Sequence, residues 1–304
     1  NGVVSEAETA PSSRWTQVVA KKNAPFTLSP ITTDNAVYMD ELVNYLVTTH
    51  GTSASGGLKG YFLDNEPALW PSTHPRIHPV KTLAVEVWTK SRDLAKAIKD
   101  VDATADIFGG VFYGFGAFFN LQDAPDWATE KGSYSWYVDY FLAKLKAASD
   151  ADSRRLLDVL DLHWYSEAIG DNRIVFSNSN TEKDKAARMQ APRSLWDPEY
   201  VENSWIGSYF RNYLPLIPRV QSSINTYYPG TRLSFSEYSY GGCNDYSGGI
   251  AQADVLGIFG KYGIYNANFW DVCGGPADYV SAGFKIFTNY DGNGASFGNT
   301  HVSA

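Results

Sequence analysis

The stretch GYFLDNEPALW, Gly60 to Trp70, runs from a β-like apolar segment into Asp-Asn-Glu-Pro and then an aromatic. A buried strand that ends on two carboxylates with an amide between them, followed by a proline, marks a place where chemistry outweighs packing. Working outward, strand-like and helix-like segments alternate. VYMDELVNYLVTTHG reads as a helix, with Met39, Leu42, Val43 and Leu46 on one face, the candidate caps Thr33 and Asp34 before it and Gly51 after it. LKGYFLDNE is a strand, VKTLAVEVWTKSRDLAKAIKD a helix and ADIFGGVFYG a strand. SWYVDYFLAKLKAASD is an amphipathic helix through Val138, Leu142 and Leu145, and LLDVLDLHWY the next strand. A segment from Ser166 to about Tyr200 reads as irregular, and a helical stretch containing Pro215 and Pro218 follows. TRLSFSEY, IAQADVLGIFGKYG and YNANFW complete the series as strand, helix and strand.

Such alternation predicts an α/β fold with a parallel sheet and crossover helices. Five strands at these spacings suit a (β/α)8 TIM barrel, read as roughly strands 4 to 8. The alternatives are an open sheet, or a barrel whose first three strands precede Asn1.

The composition narrows the chemistry. The chain has 304 residues, 44% of them hydrophobic, enough for one large core. A formal net charge of −8 argues against nucleic acid, which needs clustered Lys and Arg. No apolar run approaches the ~18 residues of a membrane span. The start, NGVVSEAETAPSSRW, lacks the pattern of a signal peptide and reads as a loop. Two cysteines, Cys243 and Cys273, exclude a disulfide scaffold and a four-cysteine zinc site. They follow the ends of neighbouring strands, and a bridge between them is open if the Cα atoms come within about 7 Å. His74 and His78 in THPRIHP have i, i+4 spacing, but Pro75 and Pro79 break the helix a zinc site would need. Gly114 and Gly116 lack the context of a dinucleotide fingerprint. No metal centre or cofactor is expected, although loop carboxylates leave room for a structural calcium.

In a barrel the active site lies at the C-terminal strand ends. Those ends carry Asp64, Asn65 and Glu66; His163, Trp164 and Tyr165, with Glu167 beyond; Glu237, Tyr238 and Tyr240; and Trp270 with Asp271. Carboxylates and aromatics in this pattern suit a glycosidase, in which two carboxyls flank a glycosidic bond. Aromatics make 15% of the chain. Most fill cores, but those in wet, polar contexts suit the C–H faces of sugar rings. Trp70, Trp164, Trp205, Tyr209 and Trp270 are the candidate platforms, whereas Trp15, Trp88, Trp136 and Trp196 read as packing residues.

The stretches LDNEPALWPSTHPRIHP, LLDVLDLHWY, LWDPEYVENSWIG and GGIAQADVLGIFGKYG resemble glycoside hydrolase family 44 over nearly the whole chain. The resemblance implies a retaining endo-β-1,4-glucanase or xyloglucanase, with xylan or mannan as alternative main substrates. It implies that Glu66 is the general acid/base, protonated to serve the leaving oxygen, and that Glu237 is the nucleophile, ionised to attack. Asn65 would donate to the sugar 2-hydroxyl, Tyr238 or Tyr240 would orient Glu237, and His163 would line the pocket or simply be a core histidine. Trp205 and Trp270 match substrate-contacting tryptophans of the family. Tyr209 stands where Trp is commoner, Ser166 where a WYPE motif is usual, and Ser239 where Asn or Asp commonly follows Glu-Tyr. The resemblance also implies that residues 1–304 form the C-terminal part of the catalytic barrel, with the preceding strands and a small β-sandwich outside this chain. The expected partners are a β-1,4-linked polysaccharide and the N-terminal remainder of the barrel, without which the fragment should not form a stable fold. A secreted monomer is expected. A non-catalytic glycan-binding barrel is the rival reading, and the presence of both glutamates speaks against it.

Overall fold

The computed structural model describes residues 4–31, 33–177 and 179–296. Five strands, β3 (Gly60–Phe62), β4 (Asp106–Phe112), β5 (Val159–Tyr165), β6 (Arg232–Ser239) and β7 (Asn266–Phe269), join one sheet in chain order. The β3–β4 and β4–β5 pairs are parallel. A sheet whose spatial order equals its chain order, with helices in the crossovers, is the (β/α)8 arrangement, of which this chain supplies five strands. Two further strands, β1 (Gln17–Val19) and β2 (Ala36–Tyr38), form a short parallel pair that the sequence reading did not anticipate.

The chain divides into two compact units, residues 1–163 with 223–234, and residues 164–222 with 235–304. In the first, all seven residues of β4 are buried, as expected for a parallel strand covered on both faces. Helix α1 (Met39–His50) begins directly after β2, so Thr33 and Asp34 do not cap it. Its buried face is also not the expected one. Val43 is buried, but Leu42 is exposed, and the carboxylates Asp40 and Glu41 turn inward. Glu41 earns that position by accepting from Lys22 Nζ (2.5 Å) and the Thr27 amide (2.8 Å). Helix α2 (Ala84–Val101) starts under the Asp126 carboxylate, which accepts from the Ala84 and Val85 amides at 2.7 and 3.0 Å. An anion there satisfies orphan donors and complements the helix dipole. Helix α3 (Tyr137–Asp152) buries Val138, Leu142 and Leu145, as its periodicity predicts. At the N-terminal strand ends, Asp158 accepts from Lys99 Nζ (3.0 Å) and the Ile107 amide (2.9 Å), and Arg232 bonds Asp106 (2.7 Å). These polar pins lie at the end of the strands away from Glu66.

In the second unit the segment read as irregular contains a helix, α4 (Glu182–Gln190), and a 3-10 turn, Ala191–Leu195. EKDKAARMQ has too few apolar residues to show a period, and its helix is specified by polar contacts instead. Buried Asp184 accepts from the Asp171 amide (2.8 Å), the Asn172 amide (2.7 Å) and Ser179 Oγ (2.6 Å). Arg188, fully buried, donates to Ser247 Oγ (2.7 Å), Asn180 Oδ1 (3.1 Å) and the Tyr240 carbonyl (3.2 Å). Helix α5 (Leu216–Tyr227) fills the Pro215–Pro218 stretch. Helix α6 (Tyr246–Tyr262) begins before the expected Ile250, capped by Asp245, whose side chain accepts from the Ser247 amide. It packs on an unanticipated helix, α7 (Asp278–Thr288), where a Cβ on Gly283 would stand 2.8 Å from the Gly249 carbonyl.

Burial alone would raise the Asp184 carboxyl, but hydrogen bonds from Ser179, Asn172 and Thr181 overcome it and hold the group far below the usual carboxylate range. A depressed folded-state value adds stability that is fully present above the unfolded value of about 3.9 and is lost as pH falls through the lower folded value. Asp184→Asn is therefore expected to lower the melting temperature by about 3–10 °C at pH 7. The gap from wild type should narrow as thermal melts are repeated below about pH 4.

Candidate active site

Glu66 adopts a left-handed conformation, φ 47° and ψ 55°. For a non-glycine residue this costs on the order of 1–3 kcal/mol, and a following proline disfavours helical φ/ψ further. The compensation lies in β4. There the register with β5 shifts between Gly110 and Phe112, leaving Val111 bulged at φ 44°. A bulged residue sits outside the regular ladder, and the Val111 carbonyl accepts from the Glu66 amide at 3.0 Å. Pro67 begins a 3-10 turn closed by the Leu69 amide on the Glu66 carbonyl (2.8 Å), and Thr82 Oγ1 donates to the Pro67 carbonyl (2.8 Å). The proline thus fixes the departure of the chain, and the bulge fixes the arrival.

His163, buried in β5, places Nδ1 2.8 Å from Glu66 Oε1. An ionised Glu66 accepts from Nδ1–H, and a protonated one donates to an Nδ1 lone pair, so one contact serves both states of the carboxyl. His163 is therefore a partner of Glu66 and more than a core histidine.

In the second unit, Tyr165 Oη donates to Glu237 Oε2 at 2.6 Å. This corrects the expectation that Tyr238 or Tyr240 orients Glu237. Successive side chains on a strand point to opposite faces, so Tyr238 cannot share the face of its neighbour. It packs on Phe259 and Phe269, and its hydroxyl takes the Gln252 amide at 2.7 Å. The Tyr240 hydroxyl is buried beside the Trp164 indole. The same alternation sends Trp164, 1% exposed, away from the face of Tyr165. Trp164, Tyr238 and Tyr240 thus have no open ring face and are not sugar platforms.

The remaining aromatics sort by exposure. Trp205 and Tyr209, 40% and 81% exposed, lie at i, i+4 on the short helix Trp205–Tyr209. That helix is capped by Ser204, whose hydroxyl accepts from the Gly207 amide and donates to buried Glu202 at 2.7 Å. Burial raises the Glu202 carboxyl. The Trp205 indole hydrogen-bonds Glu167, whose carboxyl burial also raises. Trp270, 55% exposed, follows β7, its amide donating to the Tyr238 carbonyl at 3.0 Å. Three residues on, Cys273 is bridged to Cys243, with a Cα separation of 6.1 Å, so the loops after β6 and β7 are covalently joined. Asn65 is exposed beside Glu66. Trp70 has the Lys90 ammonium 4.9 Å from its ring centre and His78 5.2 Å away, and being half-buried it is less open to a ligand than Trp205 or Trp270. His78 directs its ring nitrogens to Glu86 (3.0 Å) and the Val80 carbonyl (2.9 Å). Trp136 is fully buried and Trp88 donates to Tyr140 Oη at 3.0 Å, as packing residues do.

The profile described as glycoside hydrolase family 44 matches residues 2–168. Endoglucanase A of Paenibacillus lautus is 58% identical across the whole chain, and beta-mannanase/endoglucanase A of Caldicellulosiruptor saccharolyticus is 54% identical across it. A solved family 44 xyloglucanase of Paenibacillus polymyxa, with xyloglucan, is 55% identical over the whole chain with a TM-score of 0.97. The chain spans 44% and 24% of the two curated relatives and 60% of the solved chain.

Two outcomes test the supports of the carboxylates. Tyr165→Phe deletes one hydrogen bond to a charged group and should lower the melting temperature by about 3–10 °C in thermal melts at pH 7. Gly110→Ala puts a side chain at φ 90°, 3.0 Å from the Phe112 ring. It should disturb the bulge and lower the melting temperature by about 5–15 °C in thermal melts.

Proposed function

Because the chain belongs to glycoside hydrolase family 44, we propose that it is a retaining endo-β-1,4-glycanase acting on cellulose-type glucan and xyloglucan, with Glu66 as general acid/base and Glu237 as nucleophile. The observation that carries the reading is the 2.6 Å bond from Tyr165 to Glu237. It occupies one carboxylate oxygen and so orients the other. In the first step that oxygen attacks the anomeric carbon, the glycosidic C–O bond breaks, and Glu66 gives its proton to the departing oxygen. In the second, water attacks the anomeric carbon and surrenders a proton to Glu66 as the ester to Glu237 breaks. The His163–Glu66 contact suits this cycle, because it survives both protonation states. Asn65 would donate to the 2-hydroxyl, and the exposed rings of Trp205, Tyr209 and Trp270 would stack on sugar rings.

The reaction draws on no cofactor, and a calcium ion would serve structure only. The relatives' names, endoglucanase and xyloglucanase, support the substrate class. Mannan is the second substrate to assay, because one relative is named a beta-mannanase as well. Among the described residues no helix is long and apolar enough to cross a membrane. We infer secretion from two features. Polymers of this size are met outside the cell, and the Cys243–Cys273 bridge belongs to an oxidising compartment. A monomer is proposed, in which the exposed Leu28, Ile31, Val37 and Leu42 of the first unit meet further polypeptide of the same barrel.

Proton NMR of the first-formed product should show the β-anomer, whereas initial α-anomer would refute retention. Glu237→Gln should cost at least about 10³-fold in kcat, while a glycan-binding protein would keep its affinity unchanged and show no turnover in either form. Glu66→Ala should lose about 10²- to 10⁴-fold on natural glycosidic bonds and far less on aryl glycosides whose leaving group needs no proton.

A further inference from the structure

Phe176 lies between β5 and α4, and 56% of it is exposed to solvent. A single exposed aromatic is ordinary, but this one is held from two sides. The Arg173 guanidinium stands 4.7 Å from its ring centre, and the Tyr165 ring 5.5 Å away at 41°. Arg173 is in turn fixed by its ion pair with Glu167, the carboxylate that the Trp205 indole also bonds. The contacts form one continuous series, Trp205–Glu167–Arg173–Phe176–Tyr165–Glu237. At one end is an exposed indole, at the other the carboxylate proposed as nucleophile, and between them a second exposed ring in contact with both Arg173 and Tyr165.

From this arrangement we propose that Phe176 is a sugar-binding platform, stacking a pyranose of the β-glycan next to the residue under attack. A rigid ring loses little freedom when a ligand settles on it, and sugar C–H groups meet an aromatic face as apolar groups do. The Arg173 guanidinium holds the ring, and more than half of the residue's surface still faces solvent. Neither Arg173 nor Glu167 touches the sugar in this scheme. They are positioning residues that couple the Phe176 and Trp205 platforms through a shared ion pair. The proposal rests on the glycanase reading above.

The test compares wild type, Phe176→Leu and Phe176→Tyr on soluble xyloglucan and on a mixed set of β-1,4-gluco-oligosaccharides. Leucine keeps the apolar bulk against Tyr165 and loses the aromatic face, and tyrosine keeps both. Phe176→Leu should raise KM about 10-fold with kcat within about threefold of wild type, and Phe176→Tyr should restore KM. Unchanged KM in Phe176→Leu, or a fall in kcat with KM unchanged, would overturn the proposal, the latter because it would make Phe176 only a prop for Tyr165. Matching thermal melts show that the variants are folded, and Phe176→Trp replaces Phe176→Tyr as the aromatic control if the latter melts early. Wild type inactive on every β-1,4-glycan would instead defeat the glycanase reading, and this platform with it.

Discussion

The hydrogen bond from the Glu66 amide to the Val111 carbonyl joins two residues that are each in the left-handed region, one before a proline and one β-branched inside a buried strand. Neither conformation is favourable alone. Together they let the chain leave β3 at an angle that a regular strand end would not give. The bulge provides an acceptor outside the sheet ladder, and Pro67 and Thr82 hold the exit. The carboxylate of Glu66 can then meet His163 on β5. The Gly110–Val111 kink is thus a structural requirement of the placement of Glu66, set by backbone geometry and independent of any side-chain charge.

In the second unit the constraint is on side chains. Tyr165 is both the donor to Glu237 and a ring against Phe176, so one residue is bound into a hydrogen bond and an aromatic contact. Several polar groups that would be costly if buried alone are paired: Arg188 with carbonyls and hydroxyls, Asp184 with amides, and Glu202 with Ser194 and with Ser204, which caps the Trp205 helix. The loop bearing the exposed aromatics is therefore organised by satisfied polar contacts more than by a hydrophobic stripe.

That difference decided what could be read from the sequence. The five strands and helices α2 and α3 were legible, because β4 and α3 bury apolar residues at regular spacing. Helix α4 was not, because its charged sequence carries no period, and neither was the inward turn of Asp40 and Glu41, which depends on Lys22 and Thr27 far along the chain. Glu66, Glu237 and the exposed Trp205 and Trp270 are candidates on the strength of strand ends and family likeness. The partner of Glu237 was misassigned to Tyr238 and Tyr240, although strict alternation already sets His163 and Tyr165 on one face of β5 and Trp164 on the other. Phe176 was invisible for another reason. Its role rests on Arg173 and Tyr165 meeting it in space, and nothing in the local sequence announces that.

The Val111 outlier also bears on attempts to harden this scaffold for industrial heat. Idealising a strand, by removing its bulge and restoring regular pairing, is a standard route to a higher melting point. Applied to β4 it would remove the acceptor that holds the Glu66 amide, trading the placement of that carboxylate for thermal endurance. Any stabilising library for this fold should spare residues 110 and 111.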